Sequence, residues 1–201
     1  MDERVNPGQI IILNGAPRSG KSSIVGAIQD SFDGVWMNLG VDVFMRATPQ
    51  KWRPGVGLRP GEEQHHVYPL VPRLYAALYD AIAAVSRSGL NVVVDVGHND
   101  AAILADCTRR LDGLPVLFVG VRCPVEEVMR RREATWGHDD RVTAEEPVPE
   151  PVRRWQARVH GGWAYDLEVD TSAMDPGECA AAIRGRLASG SGMAFATLAN
   201  R

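Results

Sequence analysis

The sequence contains little lysine, few cysteines and no long apolar run. Only Lys21 and Lys51 are lysines among its 22 basic side chains, so nearly all of its cationic groups are arginines. The three cysteines, Cys107, Cys123 and Cys179, are widely separated and lack metal-ligand spacing, which favours reduced, buried thiols and no zinc site. The N-terminus is polar and acidic, and the first apolar run is too short to span a membrane. We therefore expect a cytoplasmic protein with no signal peptide and no membrane contact.

Neither sign of charge dominates the chain. It has 22 basic and 25 acidic side chains and a net charge of −3, so no general positive field attracts nucleic acid. With 201 residues, 45% of them hydrophobic, the chain is long enough for one well-filled core. We expect a single domain over residues 1–188, followed by a flexible tail over residues 189–201. The composition leaves a homo-oligomer open.

Residues 15–22 are the most informative stretch. They follow the pattern G-x-x-x-x-G-K-S, which is the spacing of a phosphate-binding loop, or P-loop. An apolar strand precedes them at residues 10–13 and a helical pattern follows at residues 23–28, which is the context that this pattern requires. A chain that otherwise uses arginine keeps Lys21 here, where a compact point charge suits a phosphate. The stretch therefore predicts a nucleotide-binding loop.

The residue types of this loop fit a nucleoside triphosphate. Glycine lets the backbone turn tightly and approach a phosphate, which successive N–H groups and the positive end of the helix dipole then surround. Lys21 suits the β- and γ-phosphates, and the Ser22 hydroxyl suits Mg²⁺, an ion that prefers oxygen ligands. We see no Asn-Lys-x-Asp guanine signature, so ATP is preferred over GTP. The expected nucleotide contacts in the loop are Gly15, Ala16, Pro17, Arg18, Ser19, Gly20, Lys21, Ser22 and Ser23.

Apolar strands alternate with helical patterns along the chain. Strands are expected over residues 10–13, 35–39, 90–96, 114–121 and 165–169. Near-continuous apolar strands separated by helices indicate a parallel sheet that is covered on both faces. The predicted fold is α/β, a three-layer α/β/α P-loop NTPase with a five-stranded parallel sheet, similar to nucleotide and shikimate kinases.

Two carboxylates follow strands whose carboxyl ends are expected beside the P-loop. Asp42 comes after the second strand and is the better candidate for a base that orients an acceptor hydroxyl and takes its proton. The alternative is that Asp42 caps the next turn. Asp95 ends the third strand in a pattern that resembles a Walker B element. It is expected to reach Mg²⁺, to contact the substrate or to orient Asp42, and a purely structural role stays open.

An arginine cluster follows the fourth strand. Arg130, Arg131 and Arg132 end one helix and Arg141 follows a glycine turn, within a lid expected over residues 130–150. Arginines of a closing lid neutralise the charge that phosphoryl transfer spreads over the phosphate oxygens. Neighbours on a helix are about 100° apart, so at least one of the three should be solvated or paired with a glutamate one turn away. We favour Arg132 and Arg141 as catalytic, and disfavour a nucleic-acid patch because acidic residues flank this short run.

The segment over residues 48–69 is expected on the acceptor side of the site. It is too long for an ordinary connection, which is typical of a functional loop. Trp52 lies within it, and His98 comes three residues after Asp95. We expect both to contact the substrate, together with Asp42 and Asp95. The apolar residues of the segment favour a lipophilic acceptor.

The order of these motifs resembles the chloramphenicol phosphotransferase-like family of small P-loop kinases. The resemblance covers about residues 9–187. Its specific part is the combination of a Gly-Val-Asp, a Val-Arg-Cys-Pro and a Tyr-Asp-Leu-Glu-Val-Asp-Thr block, at residues 40–42, 121–124 and 165–171. The P-loop alone is shared by very many proteins.

The resemblance implies an ATP-dependent kinase that phosphorylates a hydroxyl group of an antibiotic-like small molecule. By that resemblance Asp42 matches the catalytic base, Lys21 and Ser22 match the phosphate and Mg²⁺ contacts, and Thr171 lies near the adenine. The region over residues 130–150 matches the arginine-bearing lid.

Two other functions fit the same residues. One is a kinase of a primary metabolite, such as a sugar or a shikimate-like acid, whose pocket should offer more charged partners. The other is a nucleotide-sensing regulatory protein, which should lack an acceptor pocket. The expected ligands are ATP, Mg²⁺ and a small acceptor with a hydroxyl group, and the identity of the acceptor stays open.

Overall fold

Five parallel strands form the centre of the computed structural model, which describes residues 5–55, 65–137, 139 and 142–199. The strands are β1 Ile10–Asn14, β2 Trp36–Asn38, β3 Asn91–Val96, β4 Val116–Arg122 and β5 Leu167–Asp170. Their order across the sheet is β2-β3-β1-β4-β5, and all four pairings are parallel. The predicted α/β fold with a five-stranded parallel sheet is confirmed.

Helices connect these strands and cover both faces of the sheet. They are α1 Lys21–Ser31, α2 Val41–Arg46, α3 Val71–Arg87, α4 Ala101–Arg110, α5 Val125–Trp136, α6 Glu150–Arg158, α7 Pro176–Ala188 and α8 Ala194–Ala199. Short 3₁₀ helices lie at Gln50–Trp52 and His65–Leu70. Asp100 caps α4 by accepting two backbone N–H groups at the start of the helix. In the described part of the chain, no helix combines the length and apolarity needed to cross a bilayer.

Side chains of the central strand alternate between two apolar cores, one on each face of the sheet. Ile10 and Ile12 join the core formed with α3, α4 and α8, whereas Ile11 and Leu13 join the core formed with α1 and α7. All four side chains are at most 1% exposed. Burial on both faces explains why the sequence of this strand is continuously apolar instead of alternating.

The middle position of β1 determines where a ligand can bind. β1 lies between β3 and β4, with Leu13 opposite Asp95 on one side and Val119 on the other. The chain passes from β1 to β2 on one side and later from β3 to β4 on the other side, so connections leave the carboxyl end of the sheet in opposite directions and leave a crevice there. The P-loop, α2 and the end of β3 all lie at this edge.

The C-terminal residues differ from the expected flexible tail. Residues 194–199 form α8, in which Ala194 and Phe195 are 4% and 8% exposed. The Phe195 ring packs edge-on against Phe118, with ring centroids 5.3 Å apart. The Asp166 carboxylate accepts two backbone N–H groups at the start of the helix. The expectation is wrong for these residues because their apolar side chains complete the core on one face of the sheet.

The region predicted to be a lid begins in the last turns of α5 and ends at the start of α6. The two helices pack through a small apolar cluster that includes Val128, Val152 and Trp155. Arg141, proposed from the sequence as a catalytic lid residue, lies outside the described residues.

Candidate active site

The P-loop turns from the end of β1 into the N-terminus of α1. Gly20, the residue before the helix, has a φ of 90°, which residues with a side chain rarely adopt. Arg18 within the loop also has a positive φ, of 68°. Among the described residues, no side chain caps α1. Its first N–H groups and the positive end of the helix dipole therefore face the loop, an arrangement that attracts phosphate.

Lys21 lies inside the loop and hydrogen-bonds its backbone. Its Nζ donates to the carbonyl oxygens of Gly15 at 2.9 Å and Ala16 at 2.7 Å. Burial lowers the pKa of Lys21 to about 8, although the nearby carboxylates of Asp95 and Asp42 act in the opposite direction. A bound phosphate would add negative charge beside the ammonium group and raise this pKa.

Ser22 and Asp95 bring a hydroxyl and a carboxylate together beside the loop. The Ser22 hydroxyl donates to Asp95 Oδ2 at 2.6 Å. A Cβ atom at Gly40 would lie only 1.6 Å from Asp95 Oδ1. The absence of a side chain at this position before α2 therefore leaves space for the Asp95 carboxylate. A hydroxyl and a carboxylate fit Mg²⁺, which usually takes one or two protein oxygens and completes its shell with phosphates and water. Within the described residues, no group of three or more His, Cys, Asp or Glu side chains could hold a metal ion.

Asp42 lies in the first turn of α2 and does not cap it. The residue at the N-cap position is Gly40, and no side-chain capping bond forms at this end within the described part of the chain. The alternative role that the sequence left open for Asp42 is therefore not supported. Burial, followed by the charge of Asp42, raises the pKa of Tyr75 in α3 to about 12, so this phenol keeps its proton at neutral pH.

Two cavities meet at Asp42. The first, called here the P-loop cavity, has a volume of about 660 Å³ and is lined by residues 15, 17, 18 and 20–23 of the loop, together with Asp42 and Asp95. The second, called here the outer cavity, has a volume of about 1180 Å³ and lies between α2, α3, α4 and α6. Four residues line both cavities: Val41, Asp42, Tyr75 and Trp155. The carboxylate proposed as a base thus lies where the two spaces join.

Three predicted nucleotide contacts lie behind the loop surface. Ala16 and Ser19 are 3% and 1% exposed, so their side chains support the loop from within. Thr171 follows β5 and donates its hydroxyl proton to the Ser19 carbonyl oxygen at 2.8 Å. Arg131 Nη1 in turn donates to Thr171 Oγ1 at 3.0 Å. Thr171 therefore links the back of the P-loop to α5.

Of the three consecutive arginines, Arg131 faces the P-loop cavity. Its Nε donates to Glu127 at 2.6 Å. Arg130 is largely exposed and also pairs with Glu127, which confirms that one of the three would be solvated or paired within the helix. Arg132 is only 4% exposed and forms an ion pair with Asp139. The structure thus places Arg131 beside the P-loop, in the position that the sequence analysis gave to Arg132.

His98 and Trp52 do not line either cavity. The His98 side chain is 1% exposed, and its Nε2 lies 2.8 Å from the Tyr79 hydroxyl. Burial lowers the pKa of His98 to about 3, so the ring stays neutral. The turn after β3 folds this side chain into the core against Phe118, which corrects the expectation that it contacts the substrate. Trp52 is 41% exposed and packs beside His66, with ring centroids 6.1 Å apart.

A family profile described as chloramphenicol phosphotransferase-like protein matches residues 8–188. The chain belongs to this family. A curated relative from Mycobacterium tuberculosis, named as an inferred O-phosphotransferase in strains CDC 1551 and H37Rv, is 30% identical over 187 residues. That match covers 83% of this chain and 76% of the relative.

Solved kinase structures share the fold of this family member. A sugar kinase from Janibacter sp. HTCC2649 superposes with a TM-score of 0.63 at 16% identity, covering 90% of this chain and 95% of the other. An APS kinase of Mycobacterium tuberculosis, in complex with AMPPNP and APS, superposes with a TM-score of 0.61 at 14% identity, covering 90% and 98% of the two chains. At these identities the likeness shows the kinase fold.

Sequence reasoning missed several residues that shape the site of this family member. Trp155 of α6 is 9% exposed, lines both cavities and packs closely against Gly97. Asn14 at the end of β1 donates from Nδ2 to the Val159 carbonyl and the Tyr165 hydroxyl, both at 2.8 Å. Its Oδ1 accepts the backbone N–H of residue 98 at 2.7 Å. A buried amide directly before a P-loop was the available signal for this network. The apolar spacing of Val152 and Trp155 predicts the buried face of α6 but not the elements that this face contacts.

Proposed function

We propose that the protein is a kinase that transfers the γ-phosphoryl group of MgATP to a hydroxyl group of a small molecule. The observation that carries this proposal is the position of Asp42, which lines the P-loop cavity and the outer cavity at once. A base for phosphoryl transfer must reach an acceptor hydroxyl that is itself placed in line with the γ-phosphate. We infer a cytoplasmic location, where MgATP is available.

In the proposed reaction, the triphosphate occupies the P-loop cavity and the acceptor occupies the outer cavity. Asp42 orients the acceptor hydroxyl and takes its proton as the hydroxyl oxygen bonds to the γ-phosphorus. The bond from the γ-phosphorus to the bridging oxygen breaks at the same time, and that oxygen leaves with ADP. The backbone N–H groups of the loop and the ammonium group of Lys21 hold the phosphates in line for this transfer.

Two further groups support the nucleotide. Ser22 and Asp95 would hold Mg²⁺, which neutralises charge on the β- and γ-phosphates when it is bound. Arg131 supplies a guanidinium group at the same cavity, and its bonds to Glu127 and Thr171 fix its direction. We assign Arg131 to the stabilisation of charge on the transferring group.

Asp42→Asn separates binding from transfer. The amide keeps the size of the side chain but does not take a proton, so we expect unchanged ATP affinity and a loss of at least about a hundredfold in turnover. Mass spectrometry of phosphorylated product and calorimetry with MgATP measure the two quantities. Asp30→Asn, an exposed change in α1, is the matched control. Full transfer activity in Asp42→Asn would refute the role of the base.

For the acceptor we propose a chemical class and not a single compound. Because the family is described as chloramphenicol phosphotransferase-like, a hydroxyl-bearing antibiotic is the first acceptor to test, beginning with chloramphenicol. A primary metabolite is the second candidate, and the charged groups of the outer cavity favour it. Among the described residues of the segment over residues 48–69, Val67 is fully buried, whereas Tyr68 lines the outer cavity. A purely regulatory protein would not need a cavity of about 1180 Å³ beside Asp42.

A further inference from the structure

The outer cavity has a cationic wall in a protein whose net charge is negative. In the described part of the chain, four arginines line it: Arg46, Arg53, Arg154 and Arg158. They come from α2, the segment that follows it, and α6. Because the whole chain carries a net charge of −3, this concentration of positive charge is local and does not reflect the composition.

The acidic residues of the same cavity do not balance these arginines. The Asp100 carboxylate accepts two N–H groups at the start of α4, at 2.8 and 3.2 Å. Asp106 forms ion pairs with Arg109 and Arg110 on its own helix. Asp42 lies at the junction with the P-loop cavity. Among the described acidic residues that line this cavity, Asp42 alone faces it without a structural partner of its own.

The four arginines differ in whether their guanidinium groups are already bonded within the protein. Arg53 donates to the carbonyl oxygens of Thr48 at 2.6 Å and Arg46 at 3.0 Å, and Arg154 pairs with Glu150 at 3.2 Å. The guanidinium groups of Arg46 and Arg158 form no hydrogen bond or ion pair with any residue that the structure describes. Two cationic groups in one cavity are therefore available to a ligand.

The fold fixes the backbone position of one of these two arginines. Arg158 is the last residue of α6, and the next carbonyl, that of Val159, accepts a hydrogen bond from the buried Asn14 at 2.8 Å. Trp155, one turn earlier, packs against Gly97 beside the P-loop. These two contacts fix the C-terminal half of α6, and with it the base of Arg158, relative to the catalytic edge of the sheet.

We propose that the acceptor carries an anionic group, a carboxylate or a phosphate, which binds Arg46 and Arg158 while its hydroxyl group faces Asp42. This inference rests on the proposed kinase function. A guanidinium group offers parallel N–H donors that match the oxygens of a carboxylate or a phosphate, and such charge-assisted bonds are strong. The arginines of the P-loop cavity are different ones, Arg18 and Arg131, so Arg46 and Arg158 belong to the acceptor side.

The test uses matched ligands with the nucleotide site filled. With Mg²⁺ and AMPPNP at saturation, three pairs are titrated: gluconate against glucose, pantothenate against panthenol, and glycerol 3-phosphate against glycerol. The first two pairs test a carboxylate and the third tests a phosphate. We expect at least one anion to bind and to raise the unfolding temperature, and its neutral partner to bind at least about tenfold more weakly.

Variants assign the effect to the two arginines. Arg158→Gln and Arg46→Gln should each weaken the anion about tenfold and leave AMPPNP affinity unchanged. Arg87→Gln removes the same charge from the far end of α3, and it should change neither affinity. Because both target residues are exposed, the variants should keep the unfolding temperature of the native chain.

Each contrary outcome overturns the proposal. It fails if no anion binds, if the neutral partners bind equally well, or if Arg158→Gln weakens AMPPNP instead of the anion. If chloramphenicol or another neutral acceptor is phosphorylated in an Asp42-dependent reaction while no anion binds, the kinase function stands and this inference is wrong. If anions bind through Arg158 and no acceptor is ever phosphorylated, the anion site stands and the kinase function is wrong.

Discussion

The protonation state of Lys21 depends on what fills the P-loop. In the free protein, burial lowers its pKa to about 8, and the carboxylates of Asp95 and Asp42 only partly oppose this effect. Phosphates beside Nζ favour the charged form, so the pKa rises on nucleotide binding. Above pH 8 most free protein carries a neutral Lys21, and binding must then take up a proton. Affinity for the triphosphate should therefore fall as the pH rises above about 8.

Calorimetry detects this proton directly. At pH 8.5, the heat of MgATP binding should vary with the ionisation enthalpy of the buffer and indicate an uptake of between about half and one proton, whereas at pH 7 this contribution should vanish. Lys21→Arg is the control, because arginine stays protonated throughout. Equal proton uptake in Lys21→Arg would show that another group titrates.

The close approach of Gly40 to Asp95 predicts a strong effect of one methyl group. In Gly40→Ala, the new Cβ atom would overlap Asp95 Oδ1, so the carboxylate must move and its bond to Ser22 breaks. We expect turnover to fall at least about tenfold, with a higher Mg²⁺ concentration required for half-maximal activity. Kinetics at varied Mg²⁺ measure both quantities.

Gly26→Ala is the matched control for this change. Gly26 lies inside α1, and beyond the adjacent backbone of its own helix no described atom lies within 4 Å of a Cβ placed there, so alanine should raise the free energy of unfolding by up to about 1 kcal/mol. Turnover should not change in this variant. If the Mg²⁺ dependence of turnover is unaltered in Gly40→Ala, Asp95 does not bind the metal.

At the level of elements, the sequence predicted the sheet and the P-loop because their signals are local. A continuously apolar strand before a glycine-rich loop needs no tertiary information, and β1 and α1 begin and end close to the predicted positions. The rotation of a helix is different. Arg131 and Arg132 are adjacent in sequence, and only the packing of α5 against α6 and the end of β5 decides which one faces the P-loop cavity. For the same reason, the sequence did not assign Trp155 and Arg158 of α6 to the site.

The turn after β3 shows a second limit. His98 follows the strand that ends near Asp95, so a position facing the cleft was a reasonable expectation. Its ring instead occupies a space between Tyr79 and Phe118, residues from distant parts of the chain. Whether a polar ring lies in a cleft or in a core depends on partners that a local pattern does not reveal.

The packing of α8 predicts that the C-terminus contributes to stability. Phe195→Ala removes a ring that is 8% exposed and contacts Phe118, which should lower the free energy of unfolding by about 3 kcal/mol. Urea titration should show a lower midpoint with an unchanged slope. Met193→Ala, at a position that is 66% exposed, should change the free energy by less than about 0.5 kcal/mol. Equal effects of the two variants would show that α8 does not pack in solution.

At the scale of the whole molecule, the proposed nucleotide binding should stabilise the folded chain. MgATP that binds only the folded chain at 100 times its dissociation constant should stabilise it by about 2.7 kcal/mol. For a chain of this length, that raises the unfolding temperature by about 5–10 °C. Thermal unfolding with MgATP should show this increase, and Lys21→Ala should abolish it at the same concentration. An increase of equal size with GTP would contradict the preference for ATP.

Trp155 gives the molecule an internal optical signal. Its indole lies at the boundary of the P-loop cavity and the outer cavity, and it is already largely shielded from water. A ligand in either space removes the remaining solvent from one side of the ring, so the emission of this residue should shift to shorter wavelength. The two shifts are separable by adding nucleotide and acceptor in turn, with Trp155→Phe as the blank. The order in which the substrates enter can thus be followed in real time with no attached dye.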